Sequence, residues 1–176
     1  VLQVGADFNR KGVARTIEAI AALPEALRQN TLLFVVGQDK PGPFAALAAK
    51  LGIKENVHFF AGRSDVAELM AAADLLVHPA KQEAAGIVLL EAVAAGLPVI
   101  VTEVCGYAPY ITDARCGVVI NEPFSQAALN ETLADALGTP SRLSEWAANA
   151  RHYADTQDLY SLPEKVADMI TGKVNG

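Results

Sequence analysis

Cysteine is scarce in this chain, and what little there is does not organise it. Cys105 and Cys116 are the only two, and neither stands at the spacing of a metal site. They could pair, but a reduced pair of half-buried thiols is the expectation. The three histidines, His58, His78 and His152, form no cluster, and no Asp-x-Asp pair is present. His78 could lie near a bound ligand or be a hydrogen-bonded residue at the rim of a site, and the other two are expected as structural or exposed. No metal is expected. Hydrophobic residues reach 52%, yet they come as short runs broken by Gly, Pro and charge. None is long enough to cross a bilayer as a helix, so no transmembrane segment is expected. The opening residues lack the basic, apolar and small-residue succession of a signal peptide. A basic excess is also missing: 14 Lys plus Arg face 20 Asp plus Glu, for a net charge of −6. Neutralising nucleic-acid phosphates needs the opposite balance, which argues against a nucleic-acid partner.

What is present is an alternation. VLQVG (1–5) is a strand and turn, and the helical stripe over 13–23 carries Ile17, Ile20, Ala21 and Leu23. TLLFVVG (31–37) is continuously apolar, as suits a strand buried on both faces. A helix over 43–51 opens on proline and closes at Gly52. VHFFA (57–61) is a strand, and Ser64 is expected to cap the helix that follows. DLLVHP (74–79) and LPVIVT (97–102) are further strands, with an apolar helix ending at Gly96 between them. A loop with a short helical turn is expected over 103–114, a strand in CGVVI (116–120), and a helix from the Ser125 cap to about Leu137. Helix then continues over 140–170, with a break at Pro163.

Strands alternating with helices imply an α/β fold, a Rossmann-like, mostly parallel sheet with helices on both faces. The 176 residues suffice for one domain. A chain that opens inside its first strand is expected to be an excised domain. In such sheets ligands bind beyond the carboxyl ends of the strands, so two loops draw notice.

The first is GADFNRKG (5–12). Gly5 and Gly12 permit close backbone approach, and Arg10 and Lys11 bring positive charge to the amino terminus of a helix. Orphan N–H groups, a helix dipole and charge-assisted bonds together suit a phosphate, although a solvated turn explains the loop equally well. Neither GxGxxG nor GxxxxGK followed by Ser or Thr is present, which removes the best warrant for hydride transfer or ATP hydrolysis.

The second is EAAGIVLLE (83–91). Glu83 and Glu91 stand eight residues apart, about 12 Å along the axis if both were helical. Paired glycosidase carboxylates sit at most about 9.5 Å apart, so two contacts on one extended ligand fit better. Ala84, Ala85 and Gly86 are too small to shield the helix N–H groups. A diphosphate could take those groups while Glu83 accepts from hydroxyls on one side and Glu91 from a ribose on the other. The plainer alternative is a first-turn glutamate stabilised by the helix dipole and a solvated one.

Taken in order, Gly5…Arg10-Lys11-Gly12, Val36-Gly37, the Phe60–Gly62 turn, Asp74 with Pro79, Glu83-x7-Glu91-Ala92 and Gly96-x-Pro98-Val99 resemble the carboxy-terminal, nucleotide-sugar-binding domain of retaining glycosyltransferases of family 4. The resemblance covers the whole chain, 1–176. It implies one half of a two-domain GT-B enzyme, a hexosyltransferase that needs no cofactor. Arg10 and Lys11 would clamp the donor diphosphate and stabilise the leaving group, with Glu83 on the donor sugar as the third catalytic residue. Gly5, Gly12, Ala84, Ala85, Gly86, Ile87 and Val88 would line the donor, and Glu91 would hold the ribose. The base would lie near Gly37, Phe60 and Arg63.

Within the family, VGADFNRKGVARTIEAIAALPE and MAAADLLVHPAKQEAAGIVLLEA are most similar to members that move glucose from UDP-glucose to inner-core heptose of lipopolysaccharide. That narrower resemblance implies UDP-glucose as donor and the lipopolysaccharide inner core as acceptor. It also implies a missing amino-terminal acceptor domain and work at the cytoplasmic face of the bacterial inner membrane. Helices over 141–170, with Trp146, Tyr153, Tyr160 and Leu162, would dock on that absent domain. Where many relatives carry two glycines and a glutamate after the fifth strand, this chain has Cys105-Gly106-Tyr107-Ala108-Pro109-Tyr110. A UDP-sugar epimerase of related architecture and a non-catalytic sugar-nucleotide or interaction domain are the rival readings.

Overall fold

The computed structural model describes residues 1–157. Six parallel strands form one sheet in the order β3-β2-β1-β4-β5-β6: β1 (Leu2–Val4), β2 (Leu33–Val36), β3 (Val57–Phe60), β4 (Leu76–His78), β5 (Val99–Thr102) and β6 (Gly117–Ile120). The chain begins in the middle, builds outward to β3, returns to lay β4 beside β1, and builds outward the other way. Such a reversal leaves a crevice at the carboxyl ends of the two central strands. β1 shares three register pairs with β2 but only Leu2↔Leu76 with β4, so the two strands part as they run toward that crevice.

Period-two alternation explains why the strands read as continuously apolar. In β5, Val99 and Val101 belong to one core cluster and Ile100 to the other. The first cluster is closed by α1 (Val13–Ala21), α3 (Gly42–Lys50) and α7 (Gln126–Gly138), through residues such as Val13, Ile17, Ala48, Leu129 and Leu133. Val13, Ile17 and Ile20 stand at helical spacing along one face of α1, which is why it buries that face. The second is closed by α4 (Val66–Ala72), α5 (Ile87–Ala94) and α6 (Ala108–Asp113), with Met70, Leu89, Val93 and Ile111. Helix α8 (Pro140–Thr156) serves both faces: Leu143 and Trp146 pack against the first cluster, Ala150 and Tyr153 with the second. It therefore covers its own sheet, and Trp146 and Tyr153 are already partly engaged there. Tyr160, Leu162 and the expected break at Pro163 lie outside the described residues.

Several local expectations change. The segment after Pro24 forms a short helix, α2 (Glu25–Arg28), which 4 residues of pattern could not announce. Ser64 does not cap α4. The residue at that position is Asp65, and it makes no side-chain cap bond. Its carboxylate is held instead by the Arg63 fork at 2.7 and 2.5 Å. Ser125 does cap α7, accepting from the Ala128 N–H at 3.2 Å. Cys105 and Cys116 are fully buried free thiols rather than half-buried ones. Burial raises both, Cys116 to about 12. No helix among the described residues is long and apolar enough to cross a membrane.

Candidate functional site

The loop after β1 and the loop after β4 close on each other across the crevice. Gly12 sits in the left-handed region at φ +72°, and a Cβ there would strike the Pro79 carbonyl. Only glycine therefore lets the two backbones pass this closely. The Lys81 N–H then donates to the Arg10 carbonyl oxygen at 2.8 Å, and the Lys81 Nζ donates to Asn9 Oδ1 at 2.6 Å. Arg15 reaches from α1 to the carbonyls of Pro79 and Ala80 at 3.1 and 3.0 Å. Buried Gln3 of β1 donates to the Lys11 carbonyl at 2.8 Å. These bonds fix the backbone of Lys11 over the gap between β1 and β4.

The side chain of Lys11 bonds to the Glu83 carboxylate, and the two side chains are 12% and 10% exposed. Burial, and then the neighbouring Arg10 cation, holds the Lys11 ammonium below its ordinary value. Glu83 is not a helix residue. Helix α5 begins at Ile87 after Gly86 in the left-handed region at φ +84°, and Glu83 makes an isolated parallel bridge with Cys105 beyond β5. The Tyr107 N–H donates to the Ala85 carbonyl at 2.9 Å, so the loop after β5 braces this turn. The first turn of α5 has its Leu89 N–H on the Gly86 carbonyl. The N–H groups ahead of Leu89 have no intrahelical acceptor and point out of the helix start, as in any α-helix. Ala84 and Ile87 beside them are exposed.

His78 closes β4 with none of its surface exposed, so it is no rim residue. Its Nε2 stands 3.8 Å from Glu83 Oε2, and among the described residues neither ring nitrogen has a hydrogen-bond partner. Burial, followed by the Lys11 and Arg10 charges, lowers its pKa to about 4, so the imidazole is neutral near pH 7.

Of the residues singled out above, Gly5, Lys11, Gly12, Glu83, Ala84, Ala85, Gly86, Ile87 and Val88 fall on the two facing loops and the start of α5. Arg10 belongs to the same loop, but its guanidinium is 43% exposed and turned to Asp7, 3.4 Å away. Gly37 follows β2, Phe60 ends β3, and the two line a hollow of about 150 Å³ with Phe8 and Asp39. Arg63 lies beside it, over the Phe60 ring at 5.7 Å. Glu91 is exposed on α5 and lines a groove of about 530 Å³ between α4 and α5, with Ser64, Val66 and Ala67. Two contributors escape a reading of the sequence. Asp39 accepts from the Phe8 N–H at 2.6 Å and ties the loop after β2 to the loop after β1. Its backbone bonds to Phe8 and Lys40 hold its carboxyl below the usual range. Thr102 donates to the Ala80 carbonyl at 2.8 Å from the end of β5. The available signal was the same for Thr102 and His78: a polar residue closing an apolar strand on an inward-facing position.

Chemically, the crevice presents the Lys11 ammonium on the β1 side, with the exposed Arg10 at its edge, and the Glu83 carboxylate with the open N–H groups of α5 on the β4 side. That arrangement can hold a multiply charged anion and a polyhydroxyl group at once. Among the described residues no group of three or more His, Cys, Asp or Glu could hold a metal.

Residues 1–153 match the family model of glycosyl transferases group 1. The chain is 72% identical to the lipopolysaccharide glucosyltransferase WaaG of Escherichia coli (strain K12), over all of this chain and 47% of that protein. To the D-inositol 3-phosphate glycosyltransferase of Streptomyces avermitilis it is 35% identical, over 77% of this chain and 32% of that one. A crystal structure of WaaG matches with a TM-score of 0.93 at 73% identity, covering 97% of this chain and 46% of the other. A structure of Anabaena Alr3699/HepE in complex with UDP and glucose matches with a TM-score of 0.82 at 22% identity, over 97% of this chain and 47% of that one, a likeness of fold alone. The chain thus spans about half the length of WaaG or less of these curated relatives.

Proposed function

This chain belongs to the glycosyl transferases group 1, and we propose that it is the carboxy-terminal, UDP-glucose-binding half of a retaining glucosyltransferase that adds glucose to inner-core heptose of lipopolysaccharide. The observation that carries the proposal is the Lys11–Glu83 pair at the mouth of the β1/β4 crevice, beside the open start of α5. The relative with the highest identity given above is a lipopolysaccharide glucosyltransferase, which supports both the donor and the acceptor. The acceptor would be held by an amino-terminal domain outside these 176 residues. The full-length protein would work at the cytoplasmic face of the inner membrane.

Breaking the bond between the anomeric carbon and the diphosphate leaves negative charge on the departing phosphate. Lys11, Arg10 and the first N–H groups of α5 would meet that charge, and a preorganised donor of this kind is worth about 3–4 kcal/mol of barrier. Because Lys11 has three N–H donors, it can keep Glu83 while reaching a phosphate oxygen. Glu83 would accept from hydroxyls of the sugar, and Glu91 from the ribose. Gly37, Phe60 and Arg63 would border the base.

The test is calorimetric titration of the chain with UDP, UDP-glucose, NAD and ATP, with and without a divalent cation. Selective, metal-independent binding of UDP and UDP-glucose, weakened in Lys11→Ala and Glu91→Ala, is expected. Equal indifference to all four ligands would end the proposal.

A further inference from the structure

His78 is a buried side chain without a purpose in the packing around it. By strand alternation it shares the face of Leu76, which lies in the apolar cluster with Leu89 and Val93. An apolar residue would serve that cluster without any polar atom to satisfy. A neutral imidazole always carries one N–H donor and one acceptor, and leaving such a group unpaired in a buried place is unfavourable. Here both nitrogens lack a partner among the described residues. Among the described residues the one carboxylate within 4.0 Å is Glu83, whose Oε2 stands 3.8 Å from Nε2, less than 1 Å beyond hydrogen-bond length.

The same Oε2 is the atom that Lys11 holds. In the proposed complex the Lys11 ammonium is shared with a diphosphate, which carries more negative charge than one carboxylate, and its hold on Glu83 weakens. A carboxylate accepts several hydrogen bonds, so a second donor can keep its orientation. That donor must remain in place while the ligand comes and goes. The imidazole, rooted in the sheet beside Val101, meets this condition, whereas the long Lys11 side chain does not.

We infer that His78 is a positioning residue for Glu83, donating from Nε2 to the carboxylate when the diphosphate of a sugar nucleotide engages Lys11, so that Glu83 keeps its aim at the sugar hydroxyls. The inference rests on the proposed function. It assigns His78 to sugar recognition and gives it no contact with the nucleotide.

Calorimetry with UDP and with UDP-glucose on three forms of the chain separates these roles. His78→Leu keeps apolar bulk and removes the donor. It is expected to weaken UDP-glucose about tenfold and leave UDP within about twofold. His78→Gln, which restores an N–H donor, should recover most of the loss. Equal weakening of both ligands, no weakening of either, or no recovery with Gln would overturn the assignment. If His78→Leu melts too early to titrate, the imidazole of the unaltered chain decides alone. In the unaltered chain, nitrogen NMR of the imidazole should show a protonated Nε2 that shifts on UDP-glucose and also on UDP, because both ligands bring the diphosphate that takes Lys11 from Glu83. An Nε2 without a proton would overturn the idea whatever the affinities. Failure of the unaltered chain to bind UDP would instead remove the functional reading, and the inference with it.

Discussion

Lys11 and Glu83, 72 residues apart in sequence, meet in one bond across the β1/β4 crevice. Each side chain is about nine-tenths enclosed, so removing one strands the other charge with little water around it. Lys11→Met should lower the unfolding free energy by about 3 kcal/mol. Adding Glu83→Gln to that variant should restore about 1–2 kcal/mol of it. Urea unfolding followed through the single tryptophan, Trp146, measures both. A coupling near zero would mean that the pair is incidental.

Arg10 should behave oppositely. It is 43% exposed, and its partner Asp7 is 55% exposed, so Arg10→Ala should change stability by less than about 1 kcal/mol. Its charge still lies beside the proposed diphosphate position, and UDP affinity should fall about tenfold. A variant that lost stability and kept affinity would reverse the roles assigned to the two cations.

Gly12 is a test of the loop contact itself. At φ +72°, with the Pro79 carbonyl where a Cβ would go, Gly12→Ala combines backbone strain with a clash. It should cost about 2–4 kcal/mol. Gly138 ends α7 with nothing nearer its would-be Cβ than Leu27 Cδ1 at 3.7 Å, and Gly138→Ala should stabilise by about 0.5–1 kcal/mol. Thermal melts of the two variants should therefore move in opposite directions.

His78 makes stability depend on pH. Its folded pKa of about 4 lies below its unfolded value of 6.5, so between those values the unfolded chain binds the extra proton. Stability is whole above about pH 7 and declines as pH falls through 6.5 toward 4. From that shift, His78 should account for about 2 kcal/mol of the loss between pH 7 and pH 5. His78→Gln should remove that portion of the slope in paired urea titrations. An unchanged slope would place the proton uptake elsewhere.

Part of this molecule is written in short stretches. The runs 33–36 and 99–101 are apolar without a break because each strand is covered on both faces, and that alone implies a layered parallel sheet. The small residues at 84–86, the glycines at 5 and 12 and the Ser125 cap follow from backbone requirements that act within a few positions. They mark where strands give way to helices, and so where a ligand site can be.

Only the tertiary structure decided what meets there. The strand order that puts β4 against β1 is a long-range outcome, and without it Lys11 and Glu83 are two unrelated charges. Arg10 and Lys11 look equivalent as neighbours in sequence, but the turn between Gly5 and Gly12 sends one to solvent and the other into the crevice. His78 is polar by composition and buried by its place in β4. Local sequence governs which backbone shapes are accessible. Charge pairing and burial depend on which distant segments the folded sheet brings within a few ångströms, and that no short window of sequence contains.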